Sequence, residues 1–340
     1  MGINALDIKQ SNVHTVLWTL CSRKTSTIKD LSQLAGLSYA TVGNILNGLV
    51  ESGEALPGEP VSATGGRPIK VYSFNAEYAH VLALSARIRG GQNVIHACVG
   101  NLYGEAVWRT EQSFDSIDLS SFEAMMDACL RVYPTIRVLA FSLPGVERNG
   151  TVQINGYKDL VGVSFADHFQ GKYHLPVIVE NDVNAAVFGY SRHIGPASAI
   201  VGVYFPRAFP GAGIVIDGKI LKGADGFAGE VALMPLGIDW LVMDFDDPQQ
   251  VGPAIARMLC MLCSILNPNH VVLYGDFFTD TLQQTIWQNI QTQEVRSIFP
   301  ILNYQSDFDA DISAGLIAQA TSAYRNGISG KSRRGADPGR

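Results

Sequence analysis

TIKDLSQLAGLSYATVGNILNGLVESG, residues 27–53, carries the sharpest local pattern in the chain. Thr27 followed three positions later by Asp30 has the form of a helix-capping pair, with Asp in the usual place of Glu. Leu31, Leu34 and Ala35 then fall on one face of a short helix, and Gly36 suits its left-handed end. Ser38 is placed to cap a second helix by accepting from the amide of Ala40 or Thr41. Along that helix Val42, Ile45, Leu46 and Leu49 recur at helical spacing and turn inward, while Tyr39, Thr41, Asn44 and Asn47 face elsewhere. Helix, a three-residue turn with Gly, helix is the helix-turn-helix layout. Its second helix enters the DNA major groove with its N-terminal residues nearest the bases.

The flanks extend this reading. Residues 54–57, a Gly/Pro/Ser loop, Gly65-Gly66-Arg67-Pro68 and residues 69–74 form a hairpin behind the second helix, a wing whose Arg67 is directed at the minor groove. An earlier helix over 8–21 completes a three-helix core through Ile8, Val13, Val16, Leu17 and Leu20. The expected DNA contacts are Ser38, Tyr39, Thr41, Asn44, Asn47 and Arg67, with Asn44 or Asn47 suited to adenine. The competing reading is a helical hairpin with no role in DNA binding. Charge bears on the choice: residues 1–75 hold six basic and five acidic side chains, and the second helix has no Lys or Arg. One copy should therefore hold DNA poorly, and a homodimer or homotetramer is the expected working form.

The whole chain has 340 residues and a net charge of −6, with 47% hydrophobic and 16% charged residues. That excludes global disorder and argues against a wholesale binder of nucleic acid or anionic membrane. The acidity belongs to residues 76–325, which hold 15 basic and 25 acidic side chains. Five cysteines are an odd and sparse set, the N-terminus lacks the form of a signal peptide, and no apolar stretch reads as long enough to span a bilayer. A reducing cytoplasm and no membrane partner are expected. Strand-like runs at 81–85, 94–99 and 106–109 form a meander, followed by a helix over 122–132 and strands at 138–142 and 177–180. An Ala-rich helix over 183–191 comes next, then a strand at 198–204. A hairpin over 214–221 turns at Asp217-Gly218, and an apolar helix over 251–266 precedes a strand at 271–274 and a closing helix at 311–324. Alternation of this kind is α/β with mixed sheets. Three zones result: a winged helix-turn-helix at 1–75, a two-lobed body at 76–325, and a basic tail at 326–340 expected to be disordered.

The chain resembles the ROK family of bacterial sugar-responsive repressors and sugar kinases. The resemblance rests on residues 31–53, GGRP (65–68), SLPGVERNGTV (142–152), LPVIVENDVNAAVFGY (175–190), GAGIVIDGKILKGADGFAGE (211–230) and LNPNHVVLYG (266–275). It implies an actin-like, ribonuclease-H-like body behind the winged helix, and a sugar or sugar-phosphate ligand held by Asn155, Asn181, Asp182 and Glu230. In family kinases the position of Asp182 takes the proton from the sugar hydroxyl and that of Glu230 holds the anomeric side. The residues alone leave a second reading: Asn181 or Asp182 caps the Ala-rich helix, and Glu230 is a surface side chain after a glycine-rich loop.

The chain also departs from the family. Leu233 stands where a histidine serving sugar and zinc is usual, and 235–248 holds no cysteine, so no metal is expected. Cys260 and Cys263 read as core packing. Gly90-Gly91 lacks the acidic residue and Thr of the phosphate turn. Pro206 and Pro210 remove amides from the second phosphate loop, and Gly275-Asp276 replaces the adenosine-side Gly-Gly. The resemblance therefore implies a regulator of carbohydrate genes, a repressor of double-stranded operator DNA with no catalytic residues and no cofactor. The alternatives are an ATP-dependent sugar kinase or a ligand-blind scaffold for dimerisation or docking.

Overall fold

The computed structural model describes residues 5–60, 68–89, 91–148, 151–154, 157–195, 197–292, 299–305 and 307–334. The N-terminal part is built by α1 (Ala5–Arg23), α2 (Ile28–Ala35) and α3 (Tyr39–Ser52). Thr27 caps α2 by accepting from the Asp30 amide at 3.1 Å, and its hydroxyl donates to the Asp30 carboxylate at 2.8 Å. Gly36 closes α2 at φ 66°, and Ser38 opens α3 by accepting from the Thr41 amide at 3.1 Å. Val16, Leu20, Leu31, Val42 and Leu46 are fully buried between the three helices. Two expected core residues are not: Ile8 is 50% and Leu34 57% exposed. Packing on α1 begins only at Val13, and Leu31 with Ala35 one turn later fills the inner face of the eight-residue α2.

The hairpin β2 (Ala55–Pro57) and β3 (Val71–Phe74) follows, joined on its other edge by β1 (Thr25–Thr27), a strand too short to read from sequence. Arg67 and the tip of this hairpin lie outside the described residues.

The body repeats one sheet design twice. In the first lobe β4 (His80–Arg89), β5 (Gln92–Asn101) and β6 (Ala106–Phe114) form an antiparallel meander, and β7 (Ile136–Leu143) and β10 (Val177–Asn181) add in parallel beside β4. A small hairpin, β8 (Val146–Arg148) and β9 (Thr151–Ile154), stands between them in sequence. The second lobe runs the same course through β11 (Ala199–Tyr204), β12 (Gly211–Ile216), β13 (Lys219–Ile220), β14 (His270–Tyr274) and β15 (Ile301–Gln305). The Asp217-Gly218 turn has both residues left-handed, at φ 49° and 72°, as the hairpin signal requires. α4 (Leu119–Val132) and α5 (Phe165–Tyr173) close the first lobe around Phe122, Phe141, Phe165 and Phe169.

α7 (Pro248–Leu266) and α8 (Asp280–Gln291) close the second lobe. α7 corrects one expectation, since by length and composition it is apolar enough to cross a bilayer. Here Val251, Ile255, Met258 and Leu259 on it are buried in the second lobe's core, with Cys263 among them and Cys260 packed alongside.

α6 (Asp182–His193) and α9 (Phe308–Arg334) lie between the sheets, in a core that draws Val81 and Ala140 from one lobe and Val215 and Val272 from the other. The two helices cross at glycines. A Cβ on Gly189 would sit 2.0 Å from the Asp311 carbonyl oxygen, and one on Gly315 1.9 Å from that of Ala185. α9 runs to Arg334, so the tail expected to be disordered from 326 is helical as far as that residue. No proline interrupts this stretch, and its two glycines, at about 1 kcal/mol each, do not stop the helix. Residues 335–340 lie outside the described residues.

The crossing sets a test. Gly189→Ala and Gly315→Ala should each lower stability by about 1–3 kcal/mol or more through overpacking, read as a fall in the urea midpoint. Gly171→Ala in α5, where nothing stands within 4 Å of the new methyl, should raise it by about 0.4–1 kcal/mol.

Candidate functional site

An acidic residue inside the apolar strand β10 must be paired if it is to be buried. Glu180 is such a residue, 3% exposed. Its Oε1 accepts from the Asn181 amide at 3.1 Å and from Asn184 Nδ2 at 3.3 Å, and its Oε2 meets Lys222 Nζ at 2.9 Å. The chain then turns into α6. Asn181 Oδ1 accepts from the amides of Val183 and Asn184 at 2.9 and 3.1 Å, and Asn181 Nδ2 donates to the Gly145 carbonyl at 2.9 Å. Asn181 is therefore the helix cap, one of the two readings open at the sequence level.

Asp182, the first residue of α6, is buried and accepts from the Val183 amide at 2.9 Å. Burial pushes its carboxyl up to about 6; the Val183 amide and the Arg87 guanidinium oppose the rise, and the Glu230 charge adds to it. Glu230 is half-buried, raised by burial, and no described residue donates to its carboxylate. It follows Gly229, whose φ of 102° and 1.9 Å clearance from the Ala212 carbonyl admit no side chain.

Asn181, Asn184, Glu180, Lys222 and Glu230 line one cavity of about 40 Å³. Room of that order holds a few waters, at roughly 10–15 Å³ each on this measure. Of the four expected ligand residues, the structure brings Asn181 and Glu230 to this cavity and sets Asp182 just behind its wall. Asn155 lies outside the described residues. Sequence reading missed Glu180, Asn184 and Lys222. The signal for Glu180 was its charge within a strand; Lys222 had none beyond its glycine neighbour.

A larger cleft of about 860 Å³ opens where the lobes meet, at Arg87, Tyr204, Pro206, Gly275 and Phe308. The Arg87 side chain, from the first lobe, donates to Asp309 at the head of α9 and to the Tyr204 hydroxyl at 3.3 Å. Its guanidinium lies 4.8 Å from the Phe308 ring centre, and the Phe308 and Tyr204 rings stack at 4.2 Å. Arg207, left-handed at φ 58°, donates to Asp246 and Asp276 at 3.0 and 2.9 Å. Four carboxylates, of Glu111, Asp276, Asp307 and Asp309, stand in the wall.

On α3, Tyr39, Asn44 and Asn47 are exposed and Thr41 is half-buried. Ser38 is exposed, and its hydroxyl lies 2.8 Å from that of Thr41 besides capping the helix. This module rests on the body through α9: Arg325 covers the Trp18 ring at 4.4 Å, and His14 Nε2 lies 3.3 Å from the Arg325 carbonyl oxygen.

Two lobes of one sheet order, a cleft between them and a polar site at the head of α6 define the actin-like class of two-lobed folds. Residues 87–239 match the ROK family. The xylose repressor of Caldicellulosiruptor bescii is 26% identical over 244 residues, covering 68% of this chain and 60% of that protein. A protein of Caldicellulosiruptor sp. strain Rt8B.4, provisionally named a xylose repressor, is 29% identical over 266 residues, with 73% and 62% covered. The chain thus spans about three fifths of the length of these curated relatives. Among solved structures, a ROK family transcriptional regulator described as a homolog of the E. coli MLC protein superposes with a TM-score of 0.71 at 18% identity, over 96% of this chain and 99% of its own. A ROK family glucokinase from Streptomyces griseus gives 0.56 at 14% identity, over 72% and 100%.

The Asp182 carboxyl gives a pH test. Raised above its ordinary value of about 3.9, it contributes stability below that value and loses it as pH rises through about 6. Asp182→Asn keeps an acceptor for the Val183 amide and removes the titration. Urea unfolding at pH 4.5 and 7.5 should show the variant gaining on the wild type by about 2 kcal/mol at the higher pH; a difference independent of pH would overturn the assignment.

Proposed function

We propose that this protein is a sugar-responsive transcriptional repressor. Its N-terminal module reads double-stranded operator DNA, and its ROK body takes a sugar effector and transfers no phosphoryl group. The observation that carries the reading is α3: a capped helix in helix-turn-helix geometry whose outward face presents Tyr39, Asn44 and Asn47 to solvent. Asn side chains bond adenine bidentately in the major groove, and the first three turns of that face carry no charge, Glu51 standing one turn beyond Asn47.

Two further observations support it. The proteins it resembles over about 70% of its length are named xylose repressors. The regulator fold covers 96% of the chain where the glucokinase covers 72%, the difference being about the size of the N-terminal module. Against phosphoryl transfer, the interlobe cleft has Pro206, the Asp276 carboxylate and the Arg87–Asp309 pair in its wall. Two of the wall's arginines are already engaged, Arg87 with Asp309 and Arg207 with Asp246 and Asp276, and Pro206 has no amide to donate to a phosphate. With one net positive charge on residues 1–75, the working form is a pair of readers, a homodimer or homotetramer on a two-fold site in the cytoplasm.

Selection of bound duplexes from a random pool, followed by titration of the recovered site, tests the reading. Asn44→Ala and Asn47→Ala should weaken specific binding by roughly 1–3 kcal/mol each and leave the salt dependence unchanged, since neither neutralises a phosphate. Unchanged binding by both variants would overturn the α3 assignment. ADP release from ATP with any sugar would overturn the non-enzymatic one.

A further inference from the structure

The cavity at the head of α6 is built of acceptors. Glu180 Oε2 faces it, and the Glu230 carboxylate borders it. Asn184 is 7% exposed, and its Oδ1 is a buried acceptor with no hydrogen-bond partner among the described residues. Of the amide donors nearby, Asn181 Nδ2 commits one N–H to the Gly145 carbonyl and Asn184 Nδ2 one to Glu180. One cation stands among the lining side chains, the Lys222 ammonium, on a flexible stem 47% exposed and seated on the 3% exposed Glu180.

With Lys222 in that seat, the cavity of about 40 Å³ is smaller than the roughly 150 Å³ that a six-membered ring occupies. A ring in this site needs more room, and the half-exposed Lys222 stem is the longest lining side chain that can turn out to make it. A neutral sugar that did so would strand a buried carboxylate without its cation, which is strongly unfavourable. A ligand carrying its own ammonium would take over the pairing with Glu180 and present further donors to Asn184 Oδ1 and Glu230. We propose that the effector of this site is an amino sugar with a free, protonated amine, and that Lys222 occupies the place of that amine when the ligand is absent. The proposal rests on the reading of the body as a sugar sensor and names its ligand class.

Calorimetry on the full chain with glucosamine, glucose, N-acetylglucosamine and xylose tests it. Glucosamine should bind at least about tenfold more tightly than the other three, N-acetylglucosamine included, since acetylation removes the charge at nearly the same skeleton. Lys222→Met should leave that preference in place, because Glu180 still demands a cation. The double variant Glu180→Gln with Lys222→Met replaces the buried pair by neutral groups of similar size, a change that folded proteins tolerate. In it glucosamine and glucose should bind within about threefold of each other. Glucose or xylose binding as tightly as glucosamine to the wild type would overturn the amino-sugar proposal and leave the sensor reading standing. No heat with any of the four would overturn both. A preference for glucosamine that survives in the double variant would overturn the role given to Glu180 and Lys222.

Discussion

The Gly189–Gly315 crossing is the contact on which the body depends. At that point the backbones of α6 and α9 approach closely enough that a methyl on either would overlap a carbonyl oxygen of the other. Such proximity is available only to glycine, and it fixes how far apart the two sheets stand, because the helices are the layer that both sheets pack on. The same economy recurs where α6 meets the second lobe: a Cβ on Gly202 would lie 2.1 Å from the Val187 side chain, and one on Gly213 2.7 Å from the Val183 carbonyl oxygen. α6 is thus held tightly on two sides, and its N-terminus, where Glu180, Asn181 and Asp182 gather, is placed by backbone contact.

That rigidity gives the site its character. Its polar residues serve the fold before they serve any ligand: Asn181 caps a helix and ties down Gly145, and Glu180 organises an amide and an ammonium around itself. A cap of this kind stabilises by about 1 kcal/mol. The interlobe cleft follows the same rule, with Arg87 held between an acid and two stacked rings. Glu180 and Arg87 are thus already paired inside the protein, so a ligand that binds either must compete with the partner present.

Much of the fold was legible because local chemistry and tertiary structure agree. Ser38, Gly36 and the Asp217-Gly218 turn each specify a backbone conformation by their own side chains, and each adopts it. Apolar strands such as 138–142 announce themselves by burial on both faces. What escaped notice had weaker local identity. α5 and α8 are short and largely polar on their outer sides, β15 is a half-exposed edge strand, and β1 has three residues. Ile8 and Leu34 read as core because periodicity records a face and cannot record how far the neighbouring element reaches. At the site, Asn181 and Glu230 could be named, but the pairing of Glu180 with Lys222 joins residues 42 positions apart and depends on how the second lobe's loop returns to β10. No pattern within either segment contains it. The repeated sheet order of the two lobes was equally hidden, since the halves share topology without a visible repeat in sequence.

α9 begins in the interlobe cleft at Phe308, passes through the glycine crossing at Gly315 and reaches Trp18 of the N-terminal module at Arg325. Ten residues of α-helix separate the last two, about 15 Å. A stiff rod carries any displacement at one end to the other. A tilt of about 5° at the crossing moves Arg325 by roughly 1.3 Å, enough to change how its guanidinium sits over the Trp18 indole. One continuous helix thus joins the interlobe cleft to the Trp18 side of the helix-turn-helix.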